Sequence, residues 1–242
     1  MPNIDDIANY TPPKDLLKNK IIVVSGAGSG IGRVASLEFA KHGATVILLG
    51  RTLTKLEQVY DEIEAAGGPT PAIFPINFSD AGTKDYDDLR QVLEDEFGKV
   101  DGLLNNAGEL GPRTSIANYN SADWLNVMQV NLHAPFLLTQ ALLPLLQKAD
   151  SASILFTGSG VGLKGKAYWG AYAASKAGTE NLVQVLSDEL ENKTSIRVNC
   201  INPGIIRTNM RALAFPGEDP LSIPPAEAIM HCYLYLMGDD SN

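Results

Sequence analysis

The chain has 242 residues, 45% of them hydrophobic, and a net charge of −9 from 19 Lys and Arg against 28 Asp and Glu. This length and apolar content suit one large α/β domain, and the acidic balance with no basic block argues against nonspecific nucleic-acid binding or attraction to anionic lipid. Cys200 and Cys232 stand apart in apolar runs, without CxxC or Cys/His spacing, and read as buried, reduced thiols rather than a zinc site or disulfide framework.

The stretch from Met1 to Lys20 is polar, contains Pro12 and Pro13, and has no apolar signal core, so a cytoplasmic setting is expected. Short apolar runs then recur at Ile21 to Ser25, Thr45 to Gly50, Ala72 to Ile76, Gly102 to Asn105, Ser153 to Phe156 and Arg197 to Ile201, each reading as a buried strand. Helical patterns lie between them at Ile31 to His42, Thr54 to Ala66, Lys84 to Phe97, Ala122 to Lys148 and Ala171 to Asn192, with Gly43 and Gly67 as helix ends. Ala134 to Gln147 is the most apolar of these, but it is too short for a bilayer and carries Pro135 and Pro144; a core or subunit-interface helix is expected. Thr208 to Pro225 reads as a loop over the sheet, followed by a short helix from Ala226 to Met237. Strand-helix alternation requires crossover connections, so the fold expected is α/β: a single doubly wound, Rossmann-type three-layer sandwich around a parallel sheet, spanning residues 1–242.

The first strand runs into Ser25-Gly26-Ala27-Gly28-Ser29-Gly30-Ile31-Gly32, with a helix after it. Glycines there let the chain turn tightly and let pyrophosphate approach the backbone, while the helix N-terminus favours negative charge; the spacing is not GxGxxG, and a purely structural turn is the competing reading. At the end of the second strand, where a carboxylate would take the ribose hydroxyls of NAD, stand Gly50 and Arg51. A guanidinium can pair with a 2′-phosphate, so NADP(H) is favoured over NAD(H), unless Arg51 is only a solvated surface charge. Tyr172 and Lys176 lie four residues apart, on one face of a helix. A cation beside a phenol stabilises phenolate; lowering its pKa by about 3 units takes on the order of 4 kcal/mol. An ordinary amphipathic surface would show the same pair.

The glycine loop, Asn105-Asn106-Ala107-Gly108, Ser159 thirteen residues before Tyr172, the YAASK segment and Pro203-Gly204 occur together in an order and spacing that resemble the short-chain dehydrogenase/reductase family over nearly the whole chain. WGAYAASK, RVNCINPG and LMGDDS further resemble its YciK-like subgroup of oxidoreductases. The resemblance implies a catalytic set of Asn131, Ser159, Tyr172 and Lys176. Tyr172 would exchange the proton with a carbonyl oxygen, Ser159 would orient that oxygen, Lys176 would hold the nicotinamide ribose and favour the phenolate, and Asn131 would position a water in a proton relay. It also implies cofactor contacts at Ser25, Gly26, Ser29, Gly30, Ile31, Gly32, Asn77, Asn105, Ala107, Gly108, Tyr172, Lys176, Pro203, Gly204 and Thr208, besides Arg51. Asn77 stands where the family carries an adenine-contacting Asp, and Ser25 where Thr is commoner. The family's last strand, which would follow Gly238 to Asn242, is not in the sequence given: either the chain is shortened or the sheet has six strands rather than seven, and of the homodimer or homotetramer that the resemblance implies, the tetramer is put in doubt.

The function so implied is hydride transfer between NADP(H) and a small, partly apolar carbonyl or alcohol, with a substrate loop near 205–225 and a pocket rim of Leu163, Tyr168, Trp169, Leu213 and Phe215. Lys164, Lys166 and Arg113 could attract an anionic group such as a phosphopantetheine arm, but read first as isolated surface cations. A 3-oxoacyl-thioester reductase, an isomerase or dehydratase, and a non-catalytic nucleotide-sensing or scaffold protein are the rival readings. Of the histidines, His42 is read at a helix end, His133 as helix-packing and His231 in the terminal helix; no metal cluster is expected.

Overall fold

Six parallel strands pair in the order β3-β2-β1-β4-β5-β6 in the computed structural model, which describes residue 7 and residues 10–241. They are β1 Ile21–Ser25, β2 Thr45–Gly50, β3 Ala72–Pro75, β4 Gly102–Asn105, β5 Ala152–Thr157 and β6 Ile196–Ile201. The apolar runs of the sequence thus mark the strands to within one residue, because a strand covered on both faces has no polar positions to offer. Successive side chains serve opposite cores. Ile22 and Val24 pack with α1 (Gly30–Lys41), α2 (Leu53–Ala65) and α9 (Met230–Met237), whereas Val23 and Leu103 pack with α3 (Thr83–Phe97), α5 (Ala134–Leu146) and α7 (Gly170–Leu190). Helices on both faces of a parallel sheet give the doubly wound fold expected. The direction of winding reverses between β1 and β4, which opens a crevice at their carboxyl ends.

Two elements differ from the expectation. The continuous helix read over Ala122 to Lys148 is α4 (Ser121–Met128), a π-helical segment (Gln129–His133) and then α5. Pro135 has no N–H to give the carbonyl of Asn131, four residues back, so the α-helical ladder breaks there. The N–H of Ala134 reaches the carbonyl of Gln129 instead, and the Asn131 carbonyl accepts the Thr179 hydroxyl at 3.2 Å. The loop read over Thr208 to Pro225 contains α8 (Asn209–Ala214), whose start is capped by Thr208 Oγ1 accepting from the N–H of Arg211 at 3.1 Å.

Cys200 and Cys232 are free and only partly buried, not enclosed in the core as their apolar neighbours suggest. His133 is exposed rather than packed between helices, and His42 ends α1 with Nδ1 2.8 Å from the Glu38 carbonyl. The segment from Met1 to Lys20, read for a signal core, lies partly outside the described residues, as does Asn242. No described helix is long and apolar enough to cross a membrane.

Candidate functional site: a cleft at the carboxyl ends of the strands

Gly26 turns the chain out of β1 with φ of +69°, a conformation that a side chain resists. A Cβ at Gly32 would run into the Gly26 carbonyl and the Asn106 amide, so α1 can approach this turn only with glycine there. Ser25 fixes the turn to the neighbouring strand: its Oγ accepts the N–H groups of Asn106 and Ala107 at 2.9 and 3.0 Å and donates to the Leu104 carbonyl at 3.2 Å. No side chain caps α1 at Ser29. The free N–H groups of its first turn and the positive end of its dipole make an anion-binding end, and Ser29, Gly30 and Ile31 line the cleft.

The cleft encloses about 390 Å³ and runs from this turn to the end of β5. At one end Arg51 stands 3.8 Å from the Glu109 carboxylate, and Asn77 donates to Asp80 at 2.6 Å. At the other end lie Ser159, just before the short α6 (Gly160–Leu163), and Tyr172 and Lys176 on α7. β5 delivers the Thr157 carbonyl, which accepts the Lys176 ammonium at 2.7 Å. That ammonium is buried, and desolvation brings its pKa down to about 8, against the opposing influence of Cys200 and Glu180. Glu180 sits one turn along α7 and accepts the Cys200 thiol at 3.3 Å. Both atoms occupy space that a side chain at Gly158 would need. Burial also pushes the Cys200 thiol up to about 12, with Glu180 adding to the rise.

The Tyr172 phenol departs from the sequence expectation. Burial raises its pKa, and a hydrogen bond with Ser159 offsets this only in part. Lys176 Nζ lies 5.8 Å from the Tyr172 ring centroid. The phenol therefore keeps its proton at neutral pH, the form a proton donor requires. Asn131 does not line the cleft. Its Oδ1 accepts the Glu109 N–H at 2.7 Å, while its Nδ2 donates to the Glu109 carbonyl at 2.9 Å and to Ser175 Oγ at 3.0 Å. The amide is thus committed to holding the loop after β4 against α7.

The wall beside Tyr172 is aromatic. The Trp169 ring lies 5.7 Å from Tyr172 and 5.9 Å from Phe215, centroid to centroid. Arg113 is not an isolated cation: its guanidinium sits 4.9 Å from the Trp169 ring and 5.0 Å from Phe215, and it donates to the Ala214 carbonyl. Arg211 covers Phe215 at 3.7 Å and forms a two-point pair with Glu218, both contacts 2.6 Å. Trp169 and Phe215 line the cleft as expected, but Leu163, Tyr168 and Leu213 do not; they are 71%, 59% and 75% exposed. Tyr168 takes a left-handed φ of +70°, at the turn that leads into Trp169.

Of the other residues singled out in the sequence, Gly26, Gly30, Ala107, Gly108, Pro203, Gly204 and Thr208 line the cleft with those already placed there. Ser25, Gly32, Asn105 and Asn131 stand behind its surface. Asn105 is buried and donates to Thr139 Oγ1 at 2.9 Å, bracing β4 against α5. Sequence reasoning missed Glu109, Thr157, Met210 and Arg211 as lining residues. Glu109 follows Gly108 directly, and that adjacency was the available signal; Thr157 acts through its main chain, which side-chain chemistry does not reveal. Among the described residues no group of three or more His, Cys, Asp or Glu could hold a metal.

Residues 20–219 match the family model for short chain dehydrogenase. The chain is 49% identical to the oxidoreductase YciK of Escherichia coli K12, over 96% of this chain and 92% of the relative. It superposes on a short chain dehydrogenase from Pseudomonas syringae with a TM-score of 0.95 and 51% identity, covering 96% and 94% of the two chains. A short chain dehydrogenase from Escherichia coli CFT073, crystallised with NADPH, aligns with a TM-score of 0.92 and 50% identity over 95% of each chain.

Proposed function

The chain belongs to the short chain dehydrogenase family, whose members act on CH–OH or C=O groups, and from that premise we propose that it works as one NADP(H)-binding domain that reduces a small carbonyl compound, or oxidises the matching alcohol. One observation carries the reading: a glycine turn and an uncapped helix start occupy the same cleft as Ser159, Tyr172 and Lys176. The residues present fit a dinucleotide. The close approach at Gly26 and Gly32, the first turn of α1 and Arg51 would hold its phosphates, with Pro203, Gly204 and Thr208 at the nicotinamide end. The relative crystallised with NADPH supports that cofactor. When bound, the nicotinamide supplies or takes the hydride.

Tyr172 donates the proton to the carbonyl oxygen and recovers it in the reverse direction, and its raised pKa keeps that proton in place until the substrate oxygen accepts charge. Ser159 shares that oxygen and orients it. Lys176, fixed by the Thr157 carbonyl, supplies the neighbouring positive charge. Asn131 sets the loop that floors the site, its amide holding both the N–H and the carbonyl of Glu109. The aromatic wall suits a partly apolar substrate that fits beside Trp169 and Phe215.

Tyr172→Phe tests the reading. Turnover of NADPH with a carbonyl panel should fall by about 100- to 10,000-fold, the range set by general acid catalysis, while NADPH affinity from fluorescence titration stays within about 2-fold. Retained turnover would remove Tyr172 from the proton-donor role.

A further inference from the structure

Glu109 holds the only carboxylate within 4 Å of Arg51 among the described residues, at 3.8 Å from its Nη1 across the cleft. Both side chains line that cleft. The backbone of Glu109 is held from both sides by Asn131, which accepts its N–H and donates to its carbonyl, so its Cα cannot drift away from the guanidinium. The two side chains are 64% and 36% exposed. An ion pair that exposed is weak and can be exchanged for another anion.

A nucleotide 2′-phosphate reaching Arg51 would meet two opposing effects. It must take the guanidinium from the Glu109 carboxylate, and then it lies beside a like charge at a separation where water screens only part of the repulsion. A 2′-hydroxyl reaching the same place meets neither cost, because it is a donor and the carboxylate an acceptor. The end of β2 offers no acidic residue for that hydroxyl; Glu109 supplies one from the opposite bank.

We infer that Glu109 is a specificity-determining residue for the cofactor, a counter-charge that a 2′-phosphate must displace from Arg51 and that narrows the preference for NADP(H) over NAD(H). The inference rests on the proposed pairing of Arg51 with the phosphate, and the experiment separates the two. NADPH and NADH are titrated by fluorescence against the purified full chain as wild type, Glu109→Gln, Glu109→Asp and Arg51→Ala. Glu109→Gln should bind NADPH about 3- to 10-fold more tightly, and NADH no more tightly than wild type. Added salt should shrink the NADPH difference, since the term is a screened charge interaction. Glu109→Asp, which keeps the charge, should stay within about 2-fold of wild type and shows that substitution here is tolerated. An unchanged NADPH affinity in Glu109→Gln, with Arg51→Ala weakened by about 10-fold or more, overturns the role of Glu109 and leaves the phosphate pairing standing. An Arg51→Ala variant that binds NADPH like wild type overturns the pairing itself, and the inference with it.

Discussion

At the scale of single residues, the proposed proton chemistry rests on two buried groups, each shifted by desolvation toward its uncharged form. Tyr172 is raised by burial and Lys176 is lowered to about 8 by the same cause. The Lys176 shift has a thermodynamic consequence. Between pH 8 and 10.5 the unfolded chain keeps a proton on Lys176 that the folded chain has released, so this group makes the fold more stable as pH rises through that window. At about 1.4 kcal/mol per pH unit the effect is about 3 kcal/mol. Urea unfolding of wild type and Lys176→Met at a series of pH values should show the wild type gaining on the variant across this window, with parallel curves below it. Curves parallel throughout would place the Lys176 pKa at its ordinary value. The residue pair was legible from its spacing, but the direction of the Tyr172 shift was not, because burial is a property of the folded surroundings.

At the scale of elements, the strands were readable because each is a short apolar run, and the glycine turn because Gly26 combines a φ of +69° with the Ala107 backbone packed where a side chain would go. The break between α4 and α5 was signalled by Pro135, yet its consequence needs the third dimension: the Asn131 carbonyl, left without the N–H four residues on, accepts the Thr179 hydroxyl from α7. Pro135→Ala restores an N–H that can bond the Asn131 carbonyl and rewind the segment as α-helix. Rotating Asn131 would pull its amide away from Glu109. Turnover should drop by about 10-fold or more while the melting temperature moves by only a few degrees, measured by NADPH consumption and by circular dichroism. Arg113 was misread for a related reason. Its partners, Trp169 and Phe215, lie far along the chain, and no local pattern joins them.

At the scale of the whole molecule, the parallel sheet has a chemical end and an anchoring end. The cleft occupies the carboxyl ends of the strands. At the amino ends, Arg197 near the start of β6 donates to the carbonyls of Leu236 and Gly238 at 2.7 and 2.8 Å and to Ser241 Oγ, and Lys20 pairs with Asp239 at 2.9 Å. Arg197→Ala leaves the two carbonyls without this partner and should cost about 2–3 kcal/mol, lowering the melting temperature by about 5–10 °C. NADPH affinity at the distant cleft should be unaffected, since neither Arg197 nor its partners Leu236, Gly238 and Ser241 line it. A large loss of affinity in a folded Arg197→Ala protein would show that the ends are energetically joined.

The aromatic wall joins the segment after β4, the turn before α7 and α8 through one guanidinium. Arg113 and Arg211 are also sites that trypsin can cut, and both pack against Phe215. A compound that settles against Trp169 and Phe215 holds both arginines in place and slows their cleavage. Resistance to trypsin therefore reports which small molecules the wall accepts, independently of turnover.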